Sequence, residues 1–150
     1  MTKTVRLVNI SKGRVQRIHH MAPLISISDR YSTPPAIPAR DQRPLLLLDF
    51  FPADFAPELS KDSLLTAEKA DKIIKFVEEQ REAGAEVIYV QCGEGRIRSF
   101  SVCTALESLD GFHRDANDAC IKSGILDRYT FNLLGDRVDQ YEEQRQASSV

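Results

Sequence analysis

Tryptophan is absent from this chain of 150 residues, and cysteine and methionine are scarce, at three and two. Cys92, Cys103 and Cys120 are odd in number and irregularly spaced, which excludes both a disulfide framework and a zinc site. Reduced thiols in a cytoplasm are the expectation. No apolar run reaches the ~18 residues that a membrane span needs. The opening MTKTVRLVNIS has no apolar core of the secretory kind, so neither leader nor membrane partner is expected. A basic excess is also missing. At a net charge of −2 the chain lacks the electrostatic footprint of a general nucleic-acid binder. The histidines supply no metal site: His19 and His20 are adjacent with no third ligand spaced to help, and His113 follows Gly111 as a surface residue. Repeats and low-complexity tracts are absent too.

What is present suits one domain over 1–150 with a proper hydrophobic core. Val5 to Ile10 reads as a first strand, and PLISISD (Pro23 to Asp29) as a second that ends in a turn residue. Four of the seven prolines fall between Tyr31 and Pro44, which predicts a loop placed to lie across a site. LLLLDF (Leu45 to Phe50) is a continuous apolar run of the kind buried on both faces of a sheet. A second long loop, FPADFAPELSKDS, follows. Thr66 is placed to cap a helix carrying Ala70, Ile73, Ile74 and Val77 at 3.6-residue spacing, with Gly84 to end it. Glu86 to Gln91 is a β-branched strand. Val102, Ala105, Leu106 and Leu109 then return to helical spacing as far as Asp110-Gly111. Further helices are expected over Asp115 to Lys122 and Tyr129 to Gln144, with DQYEEQRQ as the solvated face of the last. Alternating strands and helices imply an α/β fold, with a central, largely parallel sheet of four or five strands flanked by helices. Right-handed crossovers would put the end of the Glu86–Gln91 strand, and Cys92 with it, at one rim.

That strand runs into the loop VQCGEGRIRS, Val90 to Ser99. A cysteine five residues before an arginine is weak evidence alone. With Gly95 between, a strand before and an amphipathic helix after, it becomes a strong signal. Backbone N–H groups between a strand end and a helix start can turn inward as an anion-binding nest, to which Gly93, Glu94, Gly95, Arg96, Ile97 and Arg98 would contribute. Gly93 and Gly95 permit positive φ and close approach. Arg98 in the first helical turn can grip two phosphate oxygens with its planar fork. The helix end, the N–H groups and the arginine all favour a thiolate at Cys92. A thiolate beneath a phosphate is a nucleophile in line with phosphorus. Ser99 is placed to donate to the sulfur and ease its departure. Cys103 and Cys120 lack such neighbours and read as core residues.

This stretch resembles the His-Cys-x5-Arg-Ser/Thr signature of cysteine-dependent protein tyrosine and dual-specificity phosphatases. LISISD, LLLLDF, ADKIIKFVEEQREAGAEVIYVQCGEGRIRS and the next helix extend the resemblance over residues 24–109, to a compact bacterial or phage-type member. It implies a strand–P-loop–helix unit and hydrolysis of phosphomonoesters, on phosphorylated proteins or small molecules, without cofactor. Cys92 would be the nucleophile, Arg98 the phosphate clamp and Ser99 the hydroxyl. The family draws its general acid from a loop after an earlier strand, which makes Asp54 first choice, with Asp49 and Asp62 as alternatives. Two positions depart from the pattern: Gln91 stands where the family has histidine, and Phe100 where small residues are common. Two other functions fit the same loop. One is a catalytically weak module that binds phosphate or phosphopeptides; the other is a sulfurtransferase of the rhodanese type, against which Ser99 and the flanking segments count.

Overall fold

A computed structural model of the chain describes residues 4–28, 35–53 and 61–148. Five strands form one sheet: β1 (Val5–Ile10), β2 (Leu24–Ser28), β3 (Leu45–Asp49), β4 (Val87–Gln91) and β5 (Phe112–Arg114). Their order is β3-β2-β4-β1-β5, and every neighbouring pair is parallel. Three helices complete the frame: α1 (Ala67–Glu82), α2 (Arg98–Leu106) and α3 (Arg128–Ser148). The α/β class with a parallel sheet is therefore what the alternating pattern implied.

The period of two along each strand divides the core. Leu7, Ile27, Ile88 and Val90 face Ile73 and Val77 of α1, Val102 and Leu106 of α2, and Leu134 and Val138 of α3. On the other face Val8, Ile10 and Leu24 pack against Val15, Ile37 and Ala119, all outside the α-helices. From β1 the chain steps past β4 to β2 and then to β3, connecting on this helix-free face. It then reverses, and α1 and α2 carry it to β4 and β5 across the other face. A parallel crossover has one strongly preferred hand, so reversing the direction moves the connection to the opposite face. Strand β4 lies between two strands whose outgoing chains leave on the face it does not use. Its carboxyl end is a topological switch point, where parallel sheets open a crevice for ligands.

Local chemistry sets the helix limits. Thr66 Oγ1 accepts from the Lys69 N–H at 3.2 Å, and Gly84, at φ +95°, ends α1. Asp127 precedes α3, taking the Phe131 N–H on its carbonyl and the Thr130 hydroxyl on Oδ2. Arg137 joins α3 to α1 through two bonds of 2.8 Å to Asp71. The predicted solvated face of α3 is partly packed instead: Tyr141 donates to buried Glu78 at 2.9 Å, and Glu78 pairs with Arg81 at 2.6 Å. Among the described residues no helix is long and apolar enough to cross a membrane.

Residues Asp115 to Lys122, expected as a helix, form turns and irregular chain after the unforeseen strand β5. The carbonyls of Ile121 and Lys122 accept from Arg114, and Asp115 caps the Asn117 N–H while pairing with Arg6 at 3.0 Å. Contacts to β1 hold this segment instead: the Asp115 N–H donates to the Leu7 carbonyl, and Arg6 reaches both Asp115 and Asp118. The loop expected between Tyr31 and Pro44 is turns and irregular chain where it is described. Its described part, 35–44, ends at the amino-terminal edge of the sheet, where the Pro44 carbonyl accepts from the Leu24 N–H. Residues 31–34 lie outside the described residues.

Replacing Thr66 with alanine is expected to cost about 1 kcal/mol in urea unfolding, and Leu106→Ala about 2–5 kcal/mol, since Leu106 is fully buried. The Arg6 guanidinium holds the Asp115 carboxyl below its usual range, chiefly by hydrogen bonding. A depressed carboxylate stabilises the fold above its unfolded pKa, about 3.9, and that contribution disappears as pH falls through the lower folded value. The stability difference between wild type and Arg6→Ala should therefore shrink progressively below pH ~4. A difference that stays constant down to pH ~2 would contradict the pairing.

Candidate functional site

Residues 92–97 carry the chain from β4 into α2 at the switch point. There a cleft of about 250 Å³ is lined by Pro52, Cys92, Gly93, Glu94, Ile97 and Arg98. A groove of about 270 Å³ between α1 and α3 is comparable in size, but its carboxylates, Asp71, Glu78, Glu79 and Glu82, outnumber its cations, Lys75 and Arg137. An anion is disfavoured there, and among the described residues no cysteine lines the groove. The cleft at β4 has both a thiol and an arginine.

Cys92 is only 2 % exposed. Its Sγ lies 3.2 Å from Ser99 Oγ and accepts the Ser99 N–H at 3.4 Å. Helix α1 is capped by a side-chain hydroxyl, whereas α2 has no side-chain cap hydrogen bond at its start. The sulfur of Cys92 meets one of its first N–H groups instead. Ser99, fully buried, is brought to Cys92 as the spacing implied. Arg98 stands in the cleft wall and donates from Nη1 to the Phe50 carbonyl at 3.0 Å.

The backbone of the loop is polarised by its surroundings. The Gly93 carbonyl accepts from the Lys12 N–H at 2.9 Å, Gly95 from Asn9 Nδ2 at 2.8 Å, and Arg96 from the Ile125 N–H at 3.0 Å. The Ile97 carbonyl accepts from both the N–H and the hydroxyl of Ser101. No peptide here is cis, and in a trans peptide the N–H points opposite to the carbonyl. The N–H groups of Glu94, Arg96, Ile97 and Arg98 are thereby turned away from these donors. Among the described residues no N–H from Gly93 to Arg98 has a hydrogen-bond partner. Adjacent donors of this kind form an anion-binding concavity.

The two loop glycines have different reasons to be there. Gly95 sits at φ +74°, and a Cβ on it would lie 2.5 Å from the Ile10 carbonyl carbon. Gly93 has no positive φ, and a Cβ there would meet Arg98 Nη2 at an ordinary 3.7 Å. The anticipated backbone freedom is thus used at Gly95 alone. Glu94 and Arg96 are exposed. Phe100 packs beneath the Arg114 guanidinium, 4.8 Å from its ring, and against Gly124, where a Cβ would reach the ring at 2.5 Å. Gln91 accepts the Ser26 hydroxyl on the helix-free side of the sheet and does not reach the loop through any hydrogen bond.

The three aspartates proposed as acids separate. Asp49 ends the edge strand β3 with Lys69 3.4 Å from its carboxylate. Asp62 lies exposed in the short 3-10 turn Lys61–Ser63. Asp54 lies outside the described residues. Cys103 is fully buried, and burial pushes its thiol well above the usual range, so it stays protonated. Cys120 is half-buried and accepts the Ser11 N–H at 3.0 Å, less enclosed than a core residue. Neither is placed in the cleft wall. His19 and His20 are exposed, with rings stacked at 5.0 Å.

Sequence reasoning missed Pro52, Asn9 and Asp127. The only available hint at Asn9 was an amide among the apolar residues of β1. Asp127 ties three segments together: its N–H donates to Ser101 Oγ, and Oδ2 accepts both the Thr130 hydroxyl and the Ala53 N–H beside the cleft. No family model and no curated protein matches the chain.

The backbone at Gly95 leads to a direct expectation. Gly95→Ala should lower the urea midpoint and weaken binding of inorganic phosphate, measured by protection of Cys92 from alkylation. A variant with wild-type protection would show that the loop needs neither the positive φ nor the close approach.

Proposed function

We propose that the chain is a phosphomonoester hydrolase of the cysteine-dependent protein tyrosine or dual-specificity phosphatase type, acting on phosphorylated proteins or small phosphomonoesters. One observation carries this reading: among the described residues the N–H groups from Gly93 to Arg98 have no hydrogen-bond partner, and Gly93, Glu94, Ile97 and Arg98 line a cleft together with Cys92. Donors fixed before the substrate arrives stabilise charge that develops on the transferring phosphoryl oxygens. In the proposed cycle the Cys92 thiolate attacks phosphorus and the bond to the leaving oxygen breaks. An acid protonates that oxygen, and the phosphoryl group rests on sulfur. Water activated by the same group, now a base, then attacks phosphorus. The P–S bond breaks, and Ser99 Oγ donates to the departing sulfur. The cycle uses no metal or cofactor, and it requires a reduced thiol, as a cytoplasm provides.

Asp54 remains the proposed acid. The chain runs toward it from Pro52 in the cleft wall and Ala53, whose N–H is fixed by Asp127. Asp49 is less suited, with Lys69 beside its carboxylate at the sheet edge. One observation favours a second reading, the weak phosphate-binding module: Gln91 is engaged by Ser26 and lends the loop no hydrogen bond.

The test is metal-free hydrolysis of p-nitrophenyl phosphate near pH 6. Turnover inhibited by vanadate is expected. Cys92→Ser should lower it at least about a thousand-fold, and Arg98→Lys about 10²–10³-fold. Asp54→Asn should cost about 10²-fold or more, with smaller effects at Asp49 and Asp62. Absence of turnover, with phosphate still protecting Cys92 from alkylation, would instead establish the binding module.

A further inference from the structure

Asn9 is fully buried near the end of β1, beside the cleft but not in its wall. All of its amide groups are engaged. Nδ2 donates to the Gly95 carbonyl at 2.8 Å and to the Ile121 carbonyl at 3.1 Å, while Oδ1 accepts from Arg114 Nε at 2.7 Å. The orientation of the amide is chemically determined. A guanidinium only donates and a carbonyl only accepts, so a flipped amide would face like with like on every side. Arg114 is itself held, donating from Nη2 to the Ile121 and Lys122 carbonyls with its guanidinium over Phe100.

The peptide between Gly95 and Arg96 is the one most in need of a clamp. Gly95 has no Cβ and a positive φ, so on its side rotation of that peptide meets no side chain. A flip would exchange the directions of the Arg96 N–H and the Gly95 carbonyl, putting a negative dipole end where the N–H now points, away from Asn9. The residue directly before Cys92 does not prevent this, because Gln91 is bound to Ser26. We propose that Asn9, oriented by Arg114, is the positioning residue that fixes the Gly95–Arg96 peptide with its N–H toward the cleft. The inference rests on the cleft being an oxyanion site. It assigns to the neighbouring strand the loop-ordering task that the residue before the cysteine does not perform here.

Asn9→Asp tests this with nearly unchanged shape. The carboxylate still accepts from Arg114 but has no proton for Gly95, so two acceptors face each other. Two quantities are to be measured on the full chain: the concentration of inorganic phosphate that half-protects Cys92, and the ratio of its alkylation rates with anionic iodoacetate and neutral iodoacetamide. Asn9→Asp is expected to raise the phosphate concentration at least about ten-fold and to lower the ratio, and in p-nitrophenyl phosphate turnover to depress kcat more than it raises KM. Thr66→Ala, which weakens the fold far from the loop, should move neither the phosphate value nor the ratio. Should Asn9→Asp fail to fold, Arg114→Lys carries the test, since it keeps the charge but removes the Nε donor that orients the amide; a rise of about three-fold or more in the phosphate value is expected. Folded variants that bind phosphate like wild type would overturn the role of Asn9 alone. A wild type that phosphate does not protect would overturn the oxyanion reading, and the role of Asn9 with it.

Discussion

A trans peptide cannot turn its carbonyl one way without turning its N–H the other, and the cleft at the end of β4 depends on that constraint. Donors from four separate places take the loop carbonyls: Asn9 in β1, Lys12 after it, Ser101 in α2 and Ile125 before α3. The loop thus has its polarity imposed from outside. Elements distant in sequence, whose own packing is unrelated to anions, become necessary to it. The winding reversal around β4 is what brings them there, because it leaves the ends of β1 and β4 side by side with their outgoing chains on opposite faces.

The thiols show how strongly position governs chemistry within a few ångströms. Cys92 and Cys103 are both enclosed, yet one lines a cleft at a helix start while the other sits inside the helical core. Burial is the main reason that Cys103 keeps its proton. At Cys92 a helical N–H and a serine hydroxyl adjoin the sulfur. The same amphipathic helix supplies both environments, by its end and by its buried face.

Much of this was legible in the sequence. Thr66 and Gly84 delimit α1 because capping is local chemistry. The strands at Val5, Leu24, Leu45 and Val87 show in their apolar runs, and the cysteine–arginine loop announces itself by spacing; but β3, expected to be buried on both faces, is an edge strand with Leu47 exposed. The failures have a common cause. Asp115 to Lys122 has the composition of a helix, but Arg6 in β1, more than a hundred residues away, claims the carboxylates of Asp115 and Asp118. Phe112–Arg114 is too short to show a period and becomes a strand only by pairing with β1. Asn9 is invisible for the same reason, since its partners lie more than eighty residues away.

The layers on the two sides of the sheet are unlike, and this shapes how the molecule opens. Three hydrogen-bonded helices seal one face, while the other is closed by a 3-10 turn and irregular chain around Val15, Ile37 and Ala119. Irregular cover has few cooperative bonds to break, so local opening starts there at lower free energy than on the helical side. The amide hydrogens of Val15 and Ile37 themselves are therefore expected to exchange faster than those of α1 and α2. The loop after β4 spans that boundary: its middle rests against the end of β1, while its last residues are committed to α2.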